Sequence, residues 1–269
     1  MGKINNKKIT NNFVFLFIFI IVVIIISYFY MINNGNGNVK SINNLNIERS
    51  CLKSVVSSKE FNRIIKSNCF IPSYFNGIYT DTNYSTYYDY PTSIIYKNRK
   101  SLKDTSIPTA VRIRSYKSSS DQFIEIKFKG GLKIRGLLDS DYKLSDVSKK
   151  HNKLLIKYLN MIENGELIPV VSNSYDRQSF ILNKDPLIRV TVDSNLVFVN
   201  DKKTFGYDKQ IVELKIPKNY DEKRIEEIIK YLSTDCNIKL KFVEFSKFDY
   251  GFERIKDLKD YFRLQSYFF

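Results

Sequence analysis

Between Val111 and Leu137, apolar and charged residues alternate in three short runs. Val111 and Ile113 fall on one side of an extended chain, Arg112 and Arg114 on the other. Ile124, Ile126 and Phe128 alternate with Glu125, Lys127 and Lys129; beyond Gly130 and Gly131, Leu132 and Ile134 alternate with Lys133 and Arg135. Side chains of a strand point to opposite faces with period two, so the pattern predicts three strands with one apolar and one cationic face. The glycine pair supplies the turn between the second and third. Like charges facing each other across neighbouring strands repel, so this cationic face calls for an anion.

The same alternation recurs elsewhere. Around Arg49, Cys51 and Lys53 it predicts a first strand, and Tyr84–Tyr90 and Ser93–Tyr96 read as aromatic, β-prone segments. In PLIRVTVDSNLVF, Ile188, Val190 and Val192 oppose Arg189, Thr191 and Asp193; in QIVELKIP, Val212, Leu214 and Ile216 oppose Glu213 and Lys215. KLKFVEFSKF, Lys239–Phe248, reads as a last strand. Period 3.6 appears in three places. Ser57 or Ser58 caps a helix to about Lys66; Ser145 to about Glu163 carries an apolar stripe through Val147, Leu154, Leu155, Tyr158 and Ile162; Asp221–Leu232 carries one through Ile225, Ile228, Ile229 and Leu232. Many antiparallel strands, each charged on one face, with helices to cover the other, predict an α+β fold built on a closed antiparallel β-barrel with flanking helices. Closure removes the edges. A barrel lined with Arg and Lys holds water and anions, because unpaired buried cations are very costly. The expected cavity is a hydrophilic tunnel shaped for a polyanion.

Composition sharpens this. The net charge of +15 over 269 residues predicts an anionic partner. A single histidine, His151, in a polar surrounding argues against His-based nucleophilic catalysis and a His-rich zinc site. Cys51, Cys69 and Cys236 form neither a disulfide framework nor a CxxC metal motif. Nucleic acid is not expected as a partner, since a duplex does not reach cations on an inward face.

Four regions follow: a basic tail (1–12), an apolar stretch (13–32), an Asn/Gly-rich linker (33–46) and the tunnel domain (47–269). Phe13–Met31 is uncharged and long enough to cross a bilayer, with Lys3, Lys7 and Lys8 before it and Tyr28 and Tyr30 near its far end. A single-pass anchor with a cytoplasmic tail is the expectation.

Several stretches in order, IERSCLK, TYYDYP, VRIRSY, FIEIKFK, KIRG, SYDRQSF, IRVTVDSNL, IVELKIP and FSKF followed by Gly251, resemble the vacuolar transporter chaperone (VTC) domain. This is the polyphosphate polymerase branch of the triphosphate tunnel (CYTH-like) enzymes. The resemblance implies a membrane-held tunnel enzyme that transfers the γ-phosphate of ATP to a growing polyphosphate chain with Mn²⁺ or Mg²⁺. By match it implies Arg112, Arg114, Lys127 and Lys247 as catalytic cations, and Lys53, Lys133, Arg177 and Arg189 as phosphate-binding ones; Arg135, on the same charged face as Lys133, is read with the latter. Glu213 is the implied metal ligand; Glu125, on the same face as Lys127, is either a second carboxylate near the metal or an ion-pair partner of the cations beside it. Departures are the Arg49, Cys51, Lys53 set where hydrolytic members carry Glu-x-Glu-x-Lys, Glu244 where a further lysine is expected, and an anchor in place of a regulatory N-terminal domain. A tunnel triphosphatase or polyphosphatase, including one acting on RNA 5′ ends, and a non-catalytic polyphosphate-binding module are the alternatives.

Overall fold

The computed structural model describes residues 49–74, 77–101, 103–146, 152–200 and 203–255. The chain divides into two compact units, Met1–Asn46 and Ile47–Phe269. The first lies outside the described residues, and with it the basic tail, the Phe13–Met31 stretch and the linker. Among the described residues no helix is long and apolar enough to cross a membrane.

The second unit is an eleven-stranded antiparallel sheet with helices on its apolar side. In chain order the elements are β1 (Arg49–Val56), α1 (Ser58–Ile65), β2 (Phe70–Pro72), β3 (Thr80–Asp89), α2 (Ile94–Ser101), β4 (Ala110–Tyr116), β5 (Ser119–Lys127), β6 (Lys133–Leu138), β7 (Leu144–Asp146), α3 (Asn152–Glu163), β8 (Ile168–Leu182), β9 (Asp185–Asn200), β10 (Lys203–Tyr207), β11 (Gln210–Pro217) and α4 (Glu222–Thr234). A further helical turn system runs over 247–255. The sheet order is β1-β11-β9-β8-β3-β4-β5-β6-β7, with β10 added beside β9 and β2 beside β8.

Burial explains the layering. Val111, Ile124, Ile126 and Ile134 are buried in one cluster with Leu155, Tyr158 and Leu159 of α3 and Ile95 of α2. Val190, Val192, Val212, Leu214 and Ile216 form a second cluster with Ile64 of α1 and Ile228 and Leu232 of α4. The apolar residues of the alternating strands thus sit under helices, and the charged ones share the opposite face. Ser57 caps α1 through a reciprocal pair with Glu60, and Asp221 caps α4. Gly130 and Gly131 take the positive φ angles of the β5–β6 connection.

Five expectations are corrected. Among the described residues the barrel does not close: β1 and β7 end the sheet, and β1's free edge is met by an isolated bridge from Ser54 to Phe242 and the Val243 N–H on the Lys53 carbonyl. Lys239–Phe248 is therefore not a strand; it leaves the edge to carry Lys247 and Phe248 inward. Ser93–Tyr96 opens α2 instead of a strand, because the Asp89 carboxylate accepts the Ile95 and Tyr96 N–H groups. Ser145 lies in β7, paired to β6, so α3 begins later than its periodicity implied. Finally, Cys69 and Cys236 are joined in a disulfide across 167 residues, leaving Cys51 free.

Candidate functional site

Register places the charged residues in rows across the sheet. One row runs Tyr87, Arg112, Glu125, Arg135, and beside it Lys127 faces Lys133. Another runs Lys53, Glu213, Thr191, and the next Cys51, Lys215, Arg189. Arg177 faces Asp193 between β8 and β9. Although the sheet is open, these rows come together. Lys127 of β5 is perturbed by Glu213 of β11, five strands away in the sheet order. Flat strands at that separation stand about 24 Å apart, well beyond effective reach of one charge for another. The sheet is curled, with its cationic face inside.

Three carboxylates are set among these cations, and each is used differently. Glu125 is 1% exposed and fully engaged. Its Oε2 accepts from Arg112 Nε at 2.8 Å and from Nη2, while Oε1 faces Lys133 Nζ at 3.3 Å and Arg135 Nε at 3.5 Å. Burial alone would raise its pKa, but the field of Arg112, Arg114, Lys133 and Arg135 holds the carboxyl well below the usual range. Asp193, also 1% exposed, accepts from Arg177 Nε and Nη2 at 2.6 and 2.8 Å and from Lys247 Nζ at 2.6 Å. It fixes on the sheet a cation carried by a segment outside it. Glu213 is looser: Thr191 Oγ1 lies at 3.5 Å, Lys215 Nζ at 3.7 Å and Arg177 Nη2 at 4.0 Å.

The remaining cations have no carboxylate to themselves. Arg114 donates to Ser85 Oγ (3.1 Å) and the Tyr175 hydroxyl (2.7 Å). Lys53 Nζ donates to the Phe245 carbonyl at 2.7 Å. Lys127 is held well below the usual lysine range, first by Arg112 and then by burial. Burial, opposed by Glu213 and aided by Arg177 and Arg189, brings Lys215 to about 8. Arg189 lies at the exposed end of its row beside Lys215. Tyr87, buried, accepts from Arg112 Nη1 at 2.9 Å; burial would raise its phenol, but Arg112, Arg114 and Lys247 bring it below the usual value.

The cations that the resemblance assigned lie on this face or reach it, whereas Lys129 falls in the turn after β5. Asp193, Lys215, Tyr87 and Tyr175 were missed as site residues. Asp193 and Lys215 were legible in phase, since they alternate with Val192 and Ile216, but pattern alone does not say which charges meet. Arg99 and Lys100 of α2 are paired with Asp249 and Glu253.

The two assigned metal ligands differ in fitness. Glu125 does not fit a metal, because both its oxygens are taken by cations. Glu213 fits as a single oxygen ligand, its neighbours standing back by 3.5 Å or more. Among the described residues no three His, Cys, Asp or Glu side chains converge. A Mn²⁺ or Mg²⁺ ion on Glu213 would take its other ligands from substrate phosphates and water, as such ions commonly do.

The site is thus a curled antiparallel sheet whose inner face is rich in cations and poor in carboxylates. The family model of the VTC domain matches residues 48–256, and the chain belongs to that family. Comparison with curated proteins finds no match. Among solved structures, the chain is similar to a candidate adenylate cyclase of Bacillus halodurans (14% identity, 77% of this chain and 98% of that one, TM-score 0.48). It is also similar to a candidate adenylyl cyclase of Hippeastrum with a dominant triphosphatase activity (11%, 77% and 95%, 0.44), and to a Pyrococcus horikoshii protein (15%, 77% and 99%, 0.44).

Proposed function

We propose that the domain is a polyphosphate polymerase that moves the γ-phosphoryl group of ATP onto a polyphosphate chain held in the tunnel. The observation that carries this is the set of enclosed cations without carboxylates of their own, Arg114 and Lys127 foremost. An uncompensated buried cation is costly unless an anion completes it, and a row of them suits a row of phosphates. Phosphoryl transfer asks a protein mainly for positioning and charge stabilisation. Arg112, fixed by Glu125 and Tyr87, and Lys247, fixed by Asp193, orient the transferred group; Arg114, Lys127, Lys133 and Arg177 hold the chain. A divalent ion on Glu213 would neutralise charge between neighbouring phosphates.

Phe13–Met31 anchors the chain in a membrane with its lysine-rich tail cytoplasmic, a reading supported by its length and lack of charge. Protease protection of the domain in sealed membranes tests that orientation.

Activity is tested with the full-length protein, ATP and Mn²⁺. The expected product is a polymer that a polyphosphatase removes, and Arg112→Ala with Arg114→Ala should reduce its formation at least about a hundredfold, the scale of losing transition-state donors. Polymer made equally well by the double variant overturns the site. Free phosphate without polymer selects a tunnel triphosphatase, and tight binding without turnover selects a binding module.

A further inference from the structure

Two buried asparagines in the rows next to Arg114 have no hydrogen-bond partner among the described residues. Asn83 of β3 is 1% exposed and Asn173 of β8 is 3% exposed, yet neither the amide nitrogen nor the carbonyl oxygen of either side chain is hydrogen-bonded. Four buried, unsatisfied polar atoms in one place are uncommon in a folded protein, because each forfeits its hydrogen bonds to water.

Their placement is informative. Asn83 faces Tyr175 across the β3–β8 pair, and Asn173 faces Ser85. Tyr175 and Ser85 are the two residues to which Arg114 donates, at 2.7 and 3.1 Å. Arg114 is thus held by two neutral hydroxyls and flanked by two unused amides, all within two adjacent rows. Lys247 Nζ lies 4.4 Å and Arg177 Cζ 5.3 Å from the Tyr175 ring centroid; the two carboxylates nearby are already engaged, Asp193 by those two cations and Glu125, which also feels Arg114, by Arg112, Lys133 and Arg135. A metal ion would be repelled from such a point. An anion at this point would meet a fixed guanidinium and, once the two buried side chains turn toward it, two unpaired amide N–H₂ groups.

We propose that Asn83 and Asn173, with Arg114, form a binding point for a phosphoryl group of the substrate chain. The inference rests on the phosphate-tunnel reading above and adds to it the neutral donors. Their chemistry suits an interior phosphate of a chain, whose single negative charge is matched by one guanidinium while amides satisfy its remaining oxygen lone pairs. The orphaned amides are the cost of keeping the point ready before the ligand arrives.

Calorimetric binding of inorganic tripolyphosphate, without metal, to the full-length protein carrying Asn83→Leu or Asn173→Leu tests the proposal. Leucine approximates the shape and removes the polar atoms. Each variant should bind about tenfold more weakly, while the thermal midpoint of the unliganded protein holds or rises, since a buried unsatisfied amide has been removed. In an Arg114→Ala background the loss from either Leu substitution should shrink, because the three groups act on one phosphate. Unchanged affinity overturns the proposal, as does a midpoint that falls together with affinity, which would mark the amides as structural. If a Leu variant does not fold, Asn→Ser at the same position, which keeps a donor, should retain affinity within about threefold, and Asn→Asp should lose more than Leu. Wild-type protein that binds no tripolyphosphate would instead overturn the tunnel reading itself.

Discussion

At the scale of single residues, Lys215 gives the site a pH dependence. Its folded-state value of about 8 lies below the ordinary 10.5, so between those two values the folded protein has shed a proton that the unfolded chain retains. Stability therefore rises with pH across that window, while affinity for a phosphoanion falls as the charge is lost. Tripolyphosphate titrations from pH 7 to 9 should show declining affinity, and Lys215→Met should flatten the part of the decline centred near pH 8. A wild-type affinity independent of pH over that range would contradict the placement of Lys215 beside the ligand. Alternation alone disclosed Arg112, Arg114, Lys127 and Glu213, because period two assigns a face. It did not disclose that Asp193 clamps Arg177 and Lys247, since that contact joins residues 54 positions apart through space.

At the scale of elements, local signals and tertiary constraint part company. The Ser57 and Asp221 caps were legible because capping is written within four residues. Lys239–Phe248 alternates as a strand does, yet the Lys53 ammonium takes the Phe245 carbonyl and Ser246 accepts the Asp249 N–H, which starts a helix at 247. Gly251 lets that helix lie against the sheet: a Cβ there would come within 2.6 Å of Phe198. The Cys69–Cys236 bond ties the approach to β2 to the segment after α4, and no spacing rule pairs cysteines so distant. Closing so long a loop should be worth about 2–5 kcal/mol. Denaturant midpoints of Cys69→Ser with Cys236→Ser, against the oxidised wild type, should fall accordingly, and a reductant should move the wild type alone. A wild-type midpoint indifferent to reductant would overturn the crosslink.

At the scale of the whole molecule, the charge of +15 was a blunt pointer and the curl of the sheet made it a sharp one. Period two assigned the faces, but not where the sheet would stop; that depended on β7 and on a segment that declined to pair. Gathering cations inside an apolar-backed sheet sets like charges against one another, a repulsion that a bound polyanion would relieve. Tripolyphosphate at a hundred times its dissociation constant should raise stability by about 2.7 kcal/mol, or the melting temperature by roughly 5–10 °C. The shift should shrink with added salt, as the affinity itself weakens. A melting temperature indifferent to polyanions would deny them the tunnel. The strand order has one more consequence, and it concerns time. Among the described residues β1, the first strand, forms its ladder with β11, the last, and meets otherwise the still later Phe242 and Val243; the disulfide likewise joins residue 69 to residue 236. A nascent chain emerging from its amino end holds β1 without a partner until nearly the whole domain has been made. Contacts so distant in sequence make folding slow, and in that interval β1 is an unpaired edge open to association with other chains.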